Sequence, residues 1–564
     1  MSSRIDWSIL TILALPWLQL LIYRGWIYTA SHLIDPWVYL GYMLQPAQYL
    51  KVFAGTYYGT RLSWILPGHL LYELLPPIVA NYVLHLGVYY LAAISLYLIL
   101  KLHFGWRTGL VTAIAMGCYP YFIMAVGWDY VDGVGIAYCL LTMLMLTYAS
   151  TSRYWQLALL LSGCSCGALL ISNITWVFCI PSLLVYFLCS NKFYQKRALI
   201  TSFQFTIVGL IISIIFFGLI NYSINRDFLF YLPSINFALS SVGKPNPFTQ
   251  DWSNWLPQAT WLLLPVFAFI SSILLVWLNR IRKIILSALV IGFQLCFILF
   301  FSLQVILELK GTIFLQSYFY ASYSIPFLFL AIGSQLASVL ERLRKIEVGL
   351  ALSLCIIIST TFLLVDPVDE TLIPYYPDLA LAYCCLYFFV GVCSLLLAQS
   401  RIPRKVAVIA GLVLVLTLTT PVLKTAMLAS DLGRRNQQEE DYLATMDANK
   451  ILQSIDPEIK LVFWYDGNEA HVYRAIASTY LWGYRLISEE FPSLSTPYLS
   501  IEQVQKQLQQ HPKVVILSKQ TYPLSPLVKQ SLSKAGFQAK PLASYPINRG
   551  QRSFTMTVIE VSKI

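Results

Sequence analysis

The sequence predicts a polytopic α-helical membrane protein of about thirteen transmembrane helices. Interfacial helices sit in its first outer loop, and a small α/β domain follows at the C-terminus. Three observations predict this. The 564 residues are 58% hydrophobic and 12% charged, with a mean hydropathy of +0.66, far from a soluble chain. Apolar stretches, most reaching the ~20 residues that cross about 30 Å of hydrocarbon, recur up to residue 428. The loops between them alternate between basic and nearly charge-free.

The apolar spans fall at 7–23, 77–100, 108–126, 133–150, 155–172, 174–190, 198–221, 259–278, 284–307, 312–339, 347–364, 379–398 and 406–428. The fifth and sixth are short and joined only by Ser172–Thr175. They form a hairpin, because Arg153 before them and Lys192, Lys196 and Arg197 after them belong on one side.

The basic residues set the orientation. One set of loops carries Arg4, Lys101, Arg107, Arg153, Lys192, Lys196, Arg197, Arg280, Arg282, Lys283, Arg342, Arg344, Lys345, Arg401, Arg404 and Lys405. The alternate, longer loops carry Arg24, Lys51, Arg61, Arg226, Lys244 and Lys310. Sixteen against six, with the excess in the shorter loops, makes the first set cytoplasmic. The N-terminus is then inside and the C-terminal domain outside. The net charge of +11 is mostly this topology signal, so no nucleic-acid partner is read from it. The opening segment has little n-region and no small-residue cleavage site, which predicts a retained first span.

The chain divides into a membrane module, 1–429, with outer loops 24–76 and 222–258, and an extracytoplasmic α/β domain, 430–564. In the latter, 461–465 and 513–517 read as buried strands, 436–453, 501–510 and 524–535 as helices, and 538–545 and 552–561 as closing strands. It contains no G-x-G-x-x-G and no P-loop. All eleven cysteines lie in or beside apolar spans, so the outer regions hold together without disulfides, and no Cys/His spacing suggests zinc.

No Asp, Glu, Lys or Arg lies deep within a span, and His85 is the only histidine there; it reads as a structural residue. Ion-coupled transporters and pumps need ionisable groups near the midplane. The pattern therefore places the chemistry at the membrane surface. There Asp35 follows the first span in Asp35-Pro-Trp-Val-Tyr39, where Pro36 favours a helix start and 37–44 suits an interfacial helix. Arg61 lies in Tyr57-Tyr-Gly-Thr-Arg61…Pro67-Gly, before a second apolar helix carrying His69 and Glu73. Asp129 and Asp132 sit in the short outer turn Gly127-Trp-Asp-Tyr-Val-Asp-Gly133. Each has a structural reading too, as a helix cap for the acids and an interfacial snorkeller for Arg61. Their conjunction in one compartment favours a site.

At these residues the chain resembles the membrane-embedded C-type glycosyltransferases, which include protein O-mannosyltransferases and the aminoarabinose transferase acting on lipid A. The likeness covers the whole layout and rests on Asp35-Pro-Trp-Val-Tyr39, Arg61…Pro67-Gly68 and Asp129-Tyr-Val-Asp132. In many relatives a second acid follows the first; here Pro36 stands in its place. The resemblance implies transfer of a sugar from a polyprenyl phosphate to an acceptor glycan, lipid or protein, with inversion at the anomeric carbon.

In that chemistry Asp35 is the candidate general base, and Arg61 the phosphate holder, since a guanidinium forks onto two oxygens. Lys244 and Lys310 are further phosphate candidates, and His69 a further substrate-binding one. Asp129 and Asp132 are read as ligands of sugar, acceptor or, with Asp35, a divalent cation (Mg or Mn). Tyr318, with Tyr320 and Tyr323, is a candidate lining of the prenyl groove, although ordinary interfacial aromatics explain them equally. No Asp-x-Asp triplet suits a nucleotide sugar. The expected location is a bacterial plasma (inner) membrane, although Asn173-Ile-Thr and Asn221-Tyr-Ser would be readable sequons in a eukaryotic lumen. Rival readings are an O-antigen-type polymerase or ligase, a flippase or permease without covalent chemistry, and a non-catalytic scaffold.

Overall fold

A computed structural model describes residues 7–340 except 23, 29–34, 54–55, 128–129, 191–195, 242–248, 257–258 and 283–287. In the tail it describes 437–454, 462–465, 476, 479, 486–487, 513–518, 533–534, 536–550 and 552–564. The expected spans 347–364, 379–398 and 406–428 lie outside these residues, as do Asp129, Lys244 and the tail helix 501–510.

The described residues of the membrane part are mostly helical. Helix α1 (Trp7–Ile22) leads into the outer loop, whose interfacial helices are α2 (Asp35–Leu44), α3 (Pro46–Val52) and α4 (Leu62–Leu74). Helices α5 (Pro77–Phe104), α6 (Trp106–Gly117), α7 (Pro120–Gly127), α8 (Val131–Thr151), α9 (Trp155–Ser172), α10 (Ile180–Ser190) and α11 (Lys196–Asn225) follow. After α12 (Leu232–Ser241) and α13 (Trp252–Trp255) come α14 (Leu263–Arg282), α15 (Ala288–Leu309), α16 (Tyr318–Ala321) and α17 (Ile325–Leu340). Among the described residues, six helices are long and apolar enough to cross a membrane, or seven if one bent pair is a single span. Three further apolar helices are shorter.

Local sequence explains where these helices begin and end. Pro77 opens α5 at its first position, where a missing N–H costs nothing, and Gly105 closes it at φ +90°, which suits glycine. The expected span 108–126 is not straight. It breaks into α6 and α7 with a 67° bend at Cys118–Pro120, where Pro120 has no amide to continue the ladder. The expected span 312–339 starts late, because the chain after α15 first makes an irregular turn through 310–317.

Helix α8 is central, with 72% of its apolar window buried, whereas α11 at 22% presents most of its surface outward. Helices α9 and α11 meet along a glycine seam: a Cβ on Gly163 would strike the Thr206 carbonyl, and one on Gly209 the Leu160 carbonyl. Such close approach of backbones is how helices associate where lipid removes the hydrophobic drive. A polar knot joins α14, α15 and α17. Gln294 accepts from Ser272 (2.7 Å) and Gln335 (2.8 Å) and donates to Ser334 (2.6 Å).

The tail is a mixed five-stranded sheet of order β2-β1-β3-β5-β4, with β1 Val462–Tyr465, β2 Leu486–Ile487, β3 Lys513–Ser518, β4 Phe537–Arg549 and β5 Arg552–Lys563. The inner strands pair in parallel and the closing hairpin antiparallel. Helix α18 (Gln437–Ser454) is bound to that hairpin by the pairs Arg549–Asp447 and Arg552–Asp441, both 2.6 Å. The tail also touches the first outer loop. Tyr442 donates to the Pro77 carbonyl (3.0 Å) and shares a bond with the Tyr72 hydroxyl (2.9 Å), while Thr479 donates to the Trp37 carbonyl (3.3 Å).

Candidate active site

Asp35 begins α2 in its first turn, a position where a carboxylate is favoured by the exposed amides of the helix N-terminus. The side chain is half-buried. Tyr58 donates to its Oδ1 at 2.8 Å. Tyr58 stands in a short 3-10 turn, Tyr58–Thr60, which Thr60 braces by donating to the Tyr57 carbonyl (2.7 Å) and bonding Ser234 of α12. Burial holds the phenols of Tyr57 and Tyr58 above their ordinary range, so both stay neutral donors.

That turn delivers Arg61 to the interior, where it is 6% exposed. Its guanidinium carbon lies 5.2 Å from the ring centre of Tyr39, 5.1 Å from Tyr57 and 5.0 Å from Tyr130. Three ring faces around one cation replace part of its lost hydration; such contacts contribute ~0.5–2 kcal/mol each. Nη1 has no hydrogen-bond partner among the described residues.

Asp132, in the first turn of α8, is 1% exposed. It is not a cap: the N-cap is Tyr130, and no side-chain capping bond forms. Neither carboxylate oxygen has a well-formed hydrogen bond among the described residues. The phenol of Tyr323 and the guanidinium of Arg61 are the groups whose fields reach it. Tyr323 is itself fixed, accepting from Asn173 Nδ2 (2.8 Å) and stacking on Trp176 at 4.4 Å. The charges of Arg61, Asp35 and Asp132 all act on the buried Tyr130 phenol, which burial keeps protonated. One pocket therefore gathers a half-buried carboxylate, a buried guanidinium and a buried carboxylate with unfilled bonding capacity.

The other described candidates have other partners. His69 Nδ1 bonds the Met43 carbonyl (2.8 Å) and Nε2 meets Glu73 (3.2 Å), clipping α4 to the far end of α2. That end is about 12 Å along the helix from Asp35. Lys310 is exposed in the turn after α15. Tyr318 packs with Phe319, Trp261 and Tyr121. His85 bonds the Val126 carbonyl (2.6 Å), a structural tie. Both sequon asparagines are buried and bonded, Asn173 to Tyr323 and Asn221 to the Asp227 carbonyl (2.6 Å).

A divalent cation would need several hard oxygen ligands. Asp132 offers two, but one oxygen of Asp35 is engaged by Tyr58 and Arg61 brings positive charge into the same pocket. No group of three His, Cys, Asp or Glu side chains forms a cation site among the described residues. Those residues do not by themselves fit a metal.

Residues not anticipated from sequence complete the pocket. Tyr39 and Tyr130 form the cage, and Asn173 and Trp176 orient Tyr323. Only the density of tyrosine in the outer turns hinted at them.

No family model matches the sequence, and no curated protein is significantly similar to it. Solved structures are similar. ArnT from Cupriavidus metallidurans bound to undecaprenyl phosphate superposes with a TM-score of 0.55 at 12% identity, covering 98% of each chain. Its apo form gives 0.54 at 12%, covering 98% of this chain and 97% of that one. ArnT has the C-type membrane glycosyltransferase fold. This chain has that fold. The apo oligosaccharyltransferase of Archaeoglobus fulgidus lies further off, with a TM-score of 0.47 at 10% identity, covering 91% of this chain and 70% of that one.

Proposed function

We propose that the chain is an integral-membrane glycosyltransferase that moves a sugar from a polyprenyl-phosphate donor to an acceptor hydroxyl on the extracytoplasmic face. The observation carrying this reading is Arg61, a buried cation whose Nη1 lacks a partner among the described residues, facing the same tyrosines as Asp35 and Asp132. A buried guanidinium is stabilised by an anion with matching oxygens, and a phosphate supplies it. The ArnT structure with undecaprenyl phosphate supports a lipid-linked donor.

The acceptor oxygen attacks the anomeric carbon as the bond from that carbon to the phosphate oxygen breaks, its electron pair leaving with the phosphate. Inversion follows from this single displacement. Asp35 takes the acceptor proton; Tyr58 fixes its Oδ1 and leaves Oδ2 for that task. General bases of this kind contribute about 10²–10⁴-fold. Arg61 holds the departing phosphate, and Asp132 accepts hydrogen bonds from hydroxyls of the sugar or acceptor. The basic loop set supports an outside position for this face and for the tail domain, and the family resemblance favours a bacterial plasma membrane.

The test is sugar transfer by Asp35→Ala and Asp35→Asn in the full chain. Both are expected to lose at least about 10²-fold in turnover while inserting normally. Near-normal turnover in both would remove Asp35 as the base. Mass spectrometry of co-purifying lipid is expected to find a glycosylated polyprenyl phosphate.

A further inference from the structure

Helix α15 ends beside this pocket with two buried polar side chains one turn apart, Gln304 and Glu308. Both grip the chain as it returns. Glu308 Oε2 accepts the amides of Phe314 (2.6 Å) and Leu315 (2.5 Å). Gln304 Nε2 donates to the Tyr320 carbonyl at 3.0 Å. Trp261 Nε1 donates to the Leu315 carbonyl at 2.7 Å, so Leu315 is held through both its N–H and its C=O. Phe314 also packs on Tyr320, with ring centres 5.9 Å apart.

Glu308 is 5% exposed and makes no ion pair among the described residues. A buried carboxylate is expensive where a neutral acceptor would serve. What it adds is strength, since hydrogen bonds to an ionised acceptor are roughly twice as strong as neutral ones. The chain it fixes leads directly into Tyr320 and Tyr323, and Tyr323 faces Asp132.

We propose that Glu308 is a positioning residue for transfer: its carboxylate clamps the 314–315 backbone and so sets Tyr320 and Tyr323 against Asp132 and Arg61. This rests on the transferase reading of the pocket. The experiment pairs amide hydrogen exchange over 310–324 with transfer kinetics in the full-length protein. In Glu308→Ala, the Phe314 and Leu315 amides are expected to exchange at least about tenfold faster, and kcat to fall about tenfold with the donor KM within about twofold. Glu308→Gln keeps an oxygen at the same reach and is expected to restore part of the protection and turnover. If Glu308→Ala does not fold, Glu308→Asp, charged but one methylene short, is expected to behave as Ala would. Unchanged exchange in the Ala or Asp variant overturns the clamp, and so does faster exchange with wild-type kcat. Inactivity of Glu308→Gln with full protection overturns it too, making the charge itself the requirement. Exchange needs no turnover, so a wild-type protein that transfers no sugar would refute the transferase reading while exchange still decides the clamp.

Discussion

A guanidinium and a carboxylate buried in one pocket without a direct bond between them are poised for a third party. Asp132 carries two oxygens without a well-formed hydrogen bond among the described residues at 1% exposure, an arrangement that destabilises the resting fold. Asp132→Asn is therefore expected to leave the melting temperature unchanged or raise it while lowering turnover at least about tenfold. A melting scan alongside an activity assay checks both signs. Tyr58→Phe removes the bond to Asp35 without disturbing its ring contacts. Hydrogen bonds to charged groups contribute ~1.5–3 kcal/mol, so transfer is expected to drop about 10–100-fold. At this scale the sequence was readable where residue types are rare: acids and an arginine in outer turns otherwise poor in charge. It was opaque for the tyrosines, because interfacial tyrosine is common whatever its role. Only the fold tells Tyr39 and Tyr130 from the rest, and likewise shows His69 held by Met43 and Glu73.

The helices up to residue 340 follow the apolar pattern closely, since twenty apolar residues in hydrocarbon have few alternatives to a helix. Departures occur where backbone chemistry overrides hydropathy. Pro120 splits one expected span, and the Glu308-bound turn shortens another. Neither is visible to a hydropathy count. The strands 461–465, 513–517, 538–545 and 552–561 emerge with shifts of a few residues, as their alternation and turn signals allow. Packing between elements was not legible; the α9–α11 seam depends on glycines that look unremarkable in sequence. Gly163→Leu forces those backbones apart and is expected to destabilise the protein by ~1–3 kcal/mol, read as a lowered melting temperature in detergent.

At the scale of the molecule, the tail is joined to the membrane part by named bonds, with Tyr442 against Pro77 and Tyr72, and Thr479 against Trp37 two residues beyond Asp35. Within the tail, Asp441 and Arg552 form a buried pair, with side chains 1% and 14% exposed. Arg552→Ala removes this ion pair, at a cost of up to ~3–5 kcal/mol. Limited proteolysis is expected to cut the variant's tail faster than the wild type's. The basic residues predict the orientation, and labelling tests it. In a background without native cysteines, Arg153→Cys is expected to react with a membrane-impermeant thiol reagent only from the cytoplasmic side, and Lys310→Cys only from outside. The central proposal is that Arg61 waits for a lipid-linked phosphate. The most direct measurement is equilibrium binding of undecaprenyl phosphate to the purified full chain and to Arg61→Ala. The wild type is expected to bind, and the variant at least about tenfold more weakly. Equal affinity in the two proteins, or no binding by the wild type, would contradict it.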